Sequence, residues 1–132
     1  MRKVFAALAT LFLLVVVAQF FFAATGAFST DPDRGAFRPH HALGYVLFLL
    51  PLVMALVAAL ARLTRRLMWL SLLAVGLTTV EVVIAKVAMA LGGAPGGLVF
   101  GLHGVCGLVL LAAAWQLFRQ AGLPAARIGA GA

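Results

Sequence analysis

The chain has 132 residues, of which 65% are hydrophobic and only 10% charged, and its mean hydropathy is +1.17. Soluble domains run at about 45–50% apolar and about 25% charged, and a body this small keeps much of its surface against solvent, so that solvent must be lipid. This excludes a soluble enzyme, a disordered chain and a disulfide scaffold, since the single cysteine, Cys106, has no intrachain partner.

The first apolar run, residues 4–27, exceeds the roughly 20 residues that a helix needs to cross a hydrocarbon core of about 30 Å. Met1-Arg-Lys3 ahead of it also resembles the start of a secretory signal. The run is longer than the usual h-region of about 7–15 residues, however, so a retained helix is expected. Ser29-Thr-Asp-Pro-Asp-Arg-Gly35 closes it with turn formers. The second run, 41–61, carries Pro51, which is expected to bend it, and stops at the charged turn Arg62-Leu-Thr-Arg-Arg66. The third, 67–91, gives way to the uncharged turn Gly92-Gly-Ala-Pro-Gly-Gly97. The fourth, 98–118, precedes a tail, 119–132, rich in glycine and alanine and expected to be flexible. Trp69 and Trp115 suit an aromatic belt at one interface.

The formal charge of +7 falls in the gaps between these runs. It therefore reads as topology signals and anionic-lipid contacts, not as a nucleic-acid footprint, which would need a basic stripe with interleaved aromatics. Arg2, Lys3, Arg62, Arg65, Arg66, Arg119 and Arg127 fall on one side, while Arg34 and Arg38 on the other are balanced by Asp31 and Asp33. The positive-inside rule then predicts a multi-pass protein of the cytoplasmic (plasma) membrane with both termini cytoplasmic. Short connections predict an all-α, transmembrane up-down-up-down four-helix bundle forming one domain. In that arrangement helices 2 and 4 are diagonal and run in the same direction.

All three histidines lie toward the outer ends of helices 2 and 4. His40-His-Ala-Leu-Gly44 opens helix 2, and His103-Gly-Val-Cys-Gly107 lies early in helix 4. Residues four apart share a helix face, so each His-x-x-x-Gly puts a glycine one turn inward of a histidine. A missing side chain there leaves room for a flat macrocycle. Two imidazoles at similar depth on diagonal helices are what bis-imidazole ligation of haem b requires, and the absence of Cys-x-x-Cys-His excludes covalent haem c. The competing readings are interfacial or structural histidines, and a metal site or proton path. His41 competes with His40 as the helix 2 ligand; the repeated four-residue spacing favours His40.

Ionisable groups within membrane helices are functional candidates by default. Glu81 lies about 15 Å from the outer end of helix 3, and Lys86 at about half that depth, roughly 140° away around the helix. Lys86 either snorkels outward or serves a haem propionate as its cationic partner, with Arg34 or Arg38 of the outer loop sharing that part. Glu81 is expected to hydrogen-bond Gln19, at similar depth on helix 1, or to stay neutral. Either residue is a candidate for holding the second nitrogen of a ligand imidazole. Cys106 reads as a small packing residue.

The start Met1-Arg-Lys3, the run Val16-Val-Ala-Gln-Phe-Phe-Phe22, His40-x-x-x-Gly44-Tyr45 and Leu102-His103-x-x-x-Gly107 together resemble an uncharacterised family of small four-helix membrane proteins, chiefly from actinobacteria. The resemblance implies the fold and marks His40 and His103 without naming a reaction. The helix 2/helix 4 histidine arrangement is separately similar to four-helix cytochrome b modules, although one cross-bundle pair supports one haem b per chain where some modules hold two. The functional expectation is a haem b electron-transfer protein whose partner is a quinone or an extracytoplasmic redox protein. Alternatives are a non-catalytic membrane subunit held through small residues, with oligomerisation open, and a transporter or metal site using His40, His41, His103 and Glu81.

Overall fold

The computed structural model describes residues 1–29 and 34–122. Four helices, α1 (Arg2–Phe28), α2 (Arg38–Leu60), α3 (Arg65–Leu91) and α4 (Gly93–Gly122), follow one another, with a 3₁₀ turn at Arg34–Phe37 leading into α2. Each is long and apolar enough to cross a membrane. α1 packs on α2 and α4, and α3 packs on the same two, while the backbones of the diagonal pairs α1/α3 and α2/α4 do not approach one another closely. The expected up-down-up-down bundle is therefore the fold, with α2 and α4 parallel across its diagonal.

The core runs along narrow seams. On α3 the buried positions Leu67, Ser71, Ala74, Thr78 and Glu81 are spaced by four, three, four and three, and Ala88 follows seven residues on, which keeps one stripe facing inward. Phe5, Ala9, Phe12 and Val16 form the matching stripe of α1. Buried Ser71 and Thr78 return their hydroxyls to the backbone one turn earlier, Ser71 to Leu67 O (2.9 Å) and Thr78 to Ala74 O (2.9 Å). Such bonds satisfy polar atoms that water cannot reach. Outside the seams lie large exposed apolar side chains such as Leu14, Leu56 and Val105, as a lipid-facing surface requires.

The helix ends differ from the expected ones in informative ways. α2 starts at Arg38 rather than near residue 41, because Pro39 in the first turn needs no backbone donor. α4 starts at Gly93, so the expected turn over 92–97 is reduced to Gly92 and most of it is helix. Pro95 is again compatible with a first turn, and Gly92 (φ 62) and Gly93 (φ 52) take the left-handed backbone that a one-residue reversal needs. The reversal also brings α4 hard against α3: a Cβ on Gly96 would lie 2.5 Å from Ala88 O. At the other end α4 continues to Gly122, so residues 119–122 of the expected flexible tail are helical. Arg127 and the remainder of that tail lie outside the described residues, as do Asp31 and Asp33 of the first connection.

A polar layer across the four helices

Each helix contributes one polar side chain to a single level of the bundle: Gln19 from α1, His40 from α2, Glu81 from α3 and His103 from α4. The depths agree. Gln19 is nine residues from the end of α1, Glu81 ten from the end of α3, and His103 ten from the start of α4. His40 is only two residues into α2, so α2 begins about two turns below the tops of its neighbours. The mouth above it is filled by Phe37, whose ring lies where a side chain on buried Gly26 would stand, with Phe37 Cδ1 2.7 Å from a Cβ placed there.

The two α2/α4 histidines are held from the other diagonal. Gln19 Nε2 donates to His40 O (2.9 Å), while His40 Nδ1 lies 3.3 Å from Gln19 O, a reciprocal clamp between α1 and α2. His103 Nδ1 pairs with the carboxylate of buried Glu81 and lies 3.2 Å from Glu81 O, which ties α4 to α3. In a neutral imidazole, donation from Nδ1 to these oxygens puts the ring proton on that nitrogen and leaves Nε2 with the lone pair. Across the bundle axis the ring centroids of His40 and His103 stand 6.2 Å apart, their planes at 64°. Two imidazoles bound on opposite sides of one metal, at about 2.0 Å per bond, have centroids roughly 6 Å apart. The separation of the two rings is thus the one that a shared metal between them would need. Gln19 Oε1 is buried and finds no hydrogen-bond partner among the described residues.

The glycines one turn inward are not equivalent. A Cβ on Gly107 would lie 3.3 Å from Glu81 Oε1 and 3.4 Å from Phe20 Cζ, so that surface is covered. A Cβ on Gly44 would meet only Gln19 Nε2, at 3.9 Å. A macrocycle between the two imidazoles requires Phe20 and the Glu81 carboxylate to swing off Gly107. Phe20 is 38% exposed on α1, which leaves it room to do so.

His41 stands apart from the layer. It is exposed, stacks on Phe37 (6.4 Å, 29°) and touches His40 edge-on (5.9 Å). Lys86 and Arg38 are exposed and are not brought into the layer, and the side chain of Arg34 lies outside the described residues. Cys106 is half-buried, with Sγ 3.9 Å from Leu77 O. Among the described residues no three His, Cys, Asp or Glu side chains group around a point where a metal ion could sit.

Two aromatic residues escaped the sequence reading. Phe100 stacks on His103 (5.1 Å, 20°) and Phe37 meets His40 edge-on (6.3 Å, 82°). The signal was present: Phe37-x-x-His40-x-x-x-Gly44 and Phe100-x-x-His103-x-x-x-Gly107 are the same eight-residue pattern. His41 does not fit it.

The model of a family of unknown function, DUF6220, matches residues 19–90, a stretch that opens on Gln19, takes in His40 and Glu81 and stops short of His103. No curated protein and no solved structure matches the chain. The match covers more than half of the 132 residues, and the chain belongs to the DUF6220 family.

Proposed function

We propose that the protein is a multi-pass haem b protein of the cytoplasmic membrane, with both termini cytoplasmic and one haem per chain ligated by His40 and His103. The observation that carries this reading is the pair of imidazoles from diagonal helices, 6.2 Å apart, each with Nδ1 occupied by a neighbouring helix. When bound between two imidazoles, haem supplies one-electron transfer without an open position for oxygen chemistry. Gln19 and Glu81 orient the rings and hold the tautomer that keeps Nε2 available. Gly44 spares the volume one turn inward, whereas Gly107 would do so only once the Phe20 ring and the Glu81 carboxylate oxygen beside it move aside, and the apolar seam beneath excludes water. Arg38, two residues before His40, is the cation proposed to face a propionate. Lys86 is offset from buried Glu81 around α3, which suits a snorkelling lysine better. The electron partner is proposed to be a quinone or an extracytoplasmic redox protein, and the layer as a whole resembles four-helix cytochrome b modules.

The absorption spectrum of the detergent-purified protein tests this reading. Sharp, split α and β bands on reduction support it, and well-folded protein without bound haem after expression with ample haem contradicts it.

A second reading is a membrane subunit without a cofactor. The observation in its favour is that Gly97, Gly101 and Gly104 of α4 are exposed, with nothing within 4 Å of a Cβ built on them, a surface that another helix can approach closely. In that reading the polar layer only fixes helix register.

A further inference from the structure

The end of the bundle opposite the histidines collects most of the cations: Arg2 and Lys3 where α1 begins, Arg62, Arg65 and Arg66 around the α2–α3 turn, and Arg119 near the end of α4. All but Arg2 are exposed. The chain has three carboxylate side chains, Asp31 and Asp33 in the α1–α2 connection and Glu81 beside His103, so none is available to balance this end.

The α2–α3 turn adds an independent observation. Leu63 N donates to Ala58 O (2.9 Å) and Arg62 N to Ala59 O (3.1 Å), the paired bonds that close a helix through a left-handed residue. That residue is Arg62, at φ 50, and it is the one non-glycine with positive φ among the described residues. Glycine suits such a position because it has no Cβ to strain, and at the end of α3 the chain does use one, Gly92. An arginine at the first turn keeps a guanidinium where the backbone disfavours it.

The tryptophans lie beside these cations. Trp69 is one turn beyond Arg65 on α3 and 63% exposed, and Trp115 is one turn before Arg119 on α4 and 49% exposed. Each indole thus shares a helix face with a guanidinium lying one turn closer to the helix end. Indoles settle at the headgroup boundary, and guanidinium groups bind phosphate oxygens in a bidentate fork.

We propose that this end is a collar for anionic phospholipid, in which Arg62, Arg65, Arg66 and Arg119 bind phosphodiester headgroups while Trp69 and Trp115 lie along the glycerol region. The proposal is independent of the haem reading.

Trp69 and Trp115 are the only tryptophans in the chain, so its own fluorescence reports on lipid at the collar. The protein is reconstituted into mixed vesicles of phosphatidylglycerol and phosphatidylcholine, with bromine on one lipid or the other. Brominated phosphatidylglycerol is expected to quench beyond its share of the bilayer, and added salt is expected to reduce the excess. Arg62→Gly, and separately Arg65→Gln with Arg66→Gln, are expected to lower the preference roughly fivefold per charge removed. Arg62→Gly is also expected to raise the thermal midpoint, because it relieves the left-handed strain, so its weaker lipid preference cannot be laid to unfolding. Equal quenching by the two lipids overturns the proposal. So does an Arg62→Gly protein with unchanged preference, or one that is destabilised, since the side chain would then be anchoring the turn itself.

Discussion

Gly107 and Gly44 hold matching places one turn inward of His103 and His40, yet their surroundings differ enough to give opposite responses. A methyl at position 44 meets one atom at 3.9 Å, so Gly44→Ala is expected to be accepted, and the loss of glycine's backbone freedom adds about 0.5–1 kcal/mol to the helix. At position 107 the Glu81 carboxylate and the Phe20 ring already stand at 3.3 and 3.4 Å, and Gly107→Leu is expected to cost about 1–3 kcal/mol by overpacking. Thermal unfolding in detergent reads both, and equal effects at the two positions would contradict the packing. Glu81 is the residue with most at stake in the layer, because among the described residues His103 Nδ1 has the Glu81 carboxylate and carbonyl as its partners. Glu81→Leu is expected to lose about 1–2 kcal/mol, in the upper range for polar pairs between membrane helices, and Glu81→Gln distinctly less, since an amide oxygen still accepts. A Glu81→Leu protein as stable as the native one would show that the pair does not tie α4 to α3.

The helices themselves were legible because apolar length is a strong signal and charged or Gly/Pro-rich gaps separate the runs. Their ends were not. Gly93-Ala-Pro-Gly-Gly97 has the composition of a loop, but proline in a first helical turn removes only an amide that has no partner there. The same tolerance moved the start of α2 back to Arg38. The proposed direction across the membrane rests on the cations at the helix ends, and accessibility tests it. In a Cys106→Ala background, a cysteine at Gly35 is expected to react with an impermeant thiol reagent added outside intact cells, and one at Thr64 only after permeabilisation. Labelling of position 64 alone from outside would invert the topology.

At the scale of the whole molecule, the pairing of His40 with His103 was readable because α2 and α4 run in the same direction and their histidines recur with one spacing. The common depth of Gln19 and Glu81 was readable by counting residues from helix ends. Which of them would hold which histidine was not, because that depends on how each helix is rotated. On α3 the residues Ser71, Thr78 and Glu81 mark the inward face, but a helix that is apolar nearly all round, such as α1 with Gln19 among apolar neighbours, has no polar stripe to set its rotation. Phe37 and Phe100 were missed for a related reason: among ten phenylalanines, a ring beside a histidine looks like one more lipid-facing side chain. The assembled layer nonetheless brings two imidazoles together across the axis, each anchored from the side. Its most direct test is the haem content and reduced absorption spectrum of the detergent-purified native chain beside His40→Ala, His41→Ala and His103→Ala, all expressed with ample haem. The account predicts one low-spin haem per chain in the native and His41→Ala proteins, and its loss or strong reduction in the other two. Haem-free native protein that is well folded, or a His103→Ala protein that keeps the native spectrum, would contradict it.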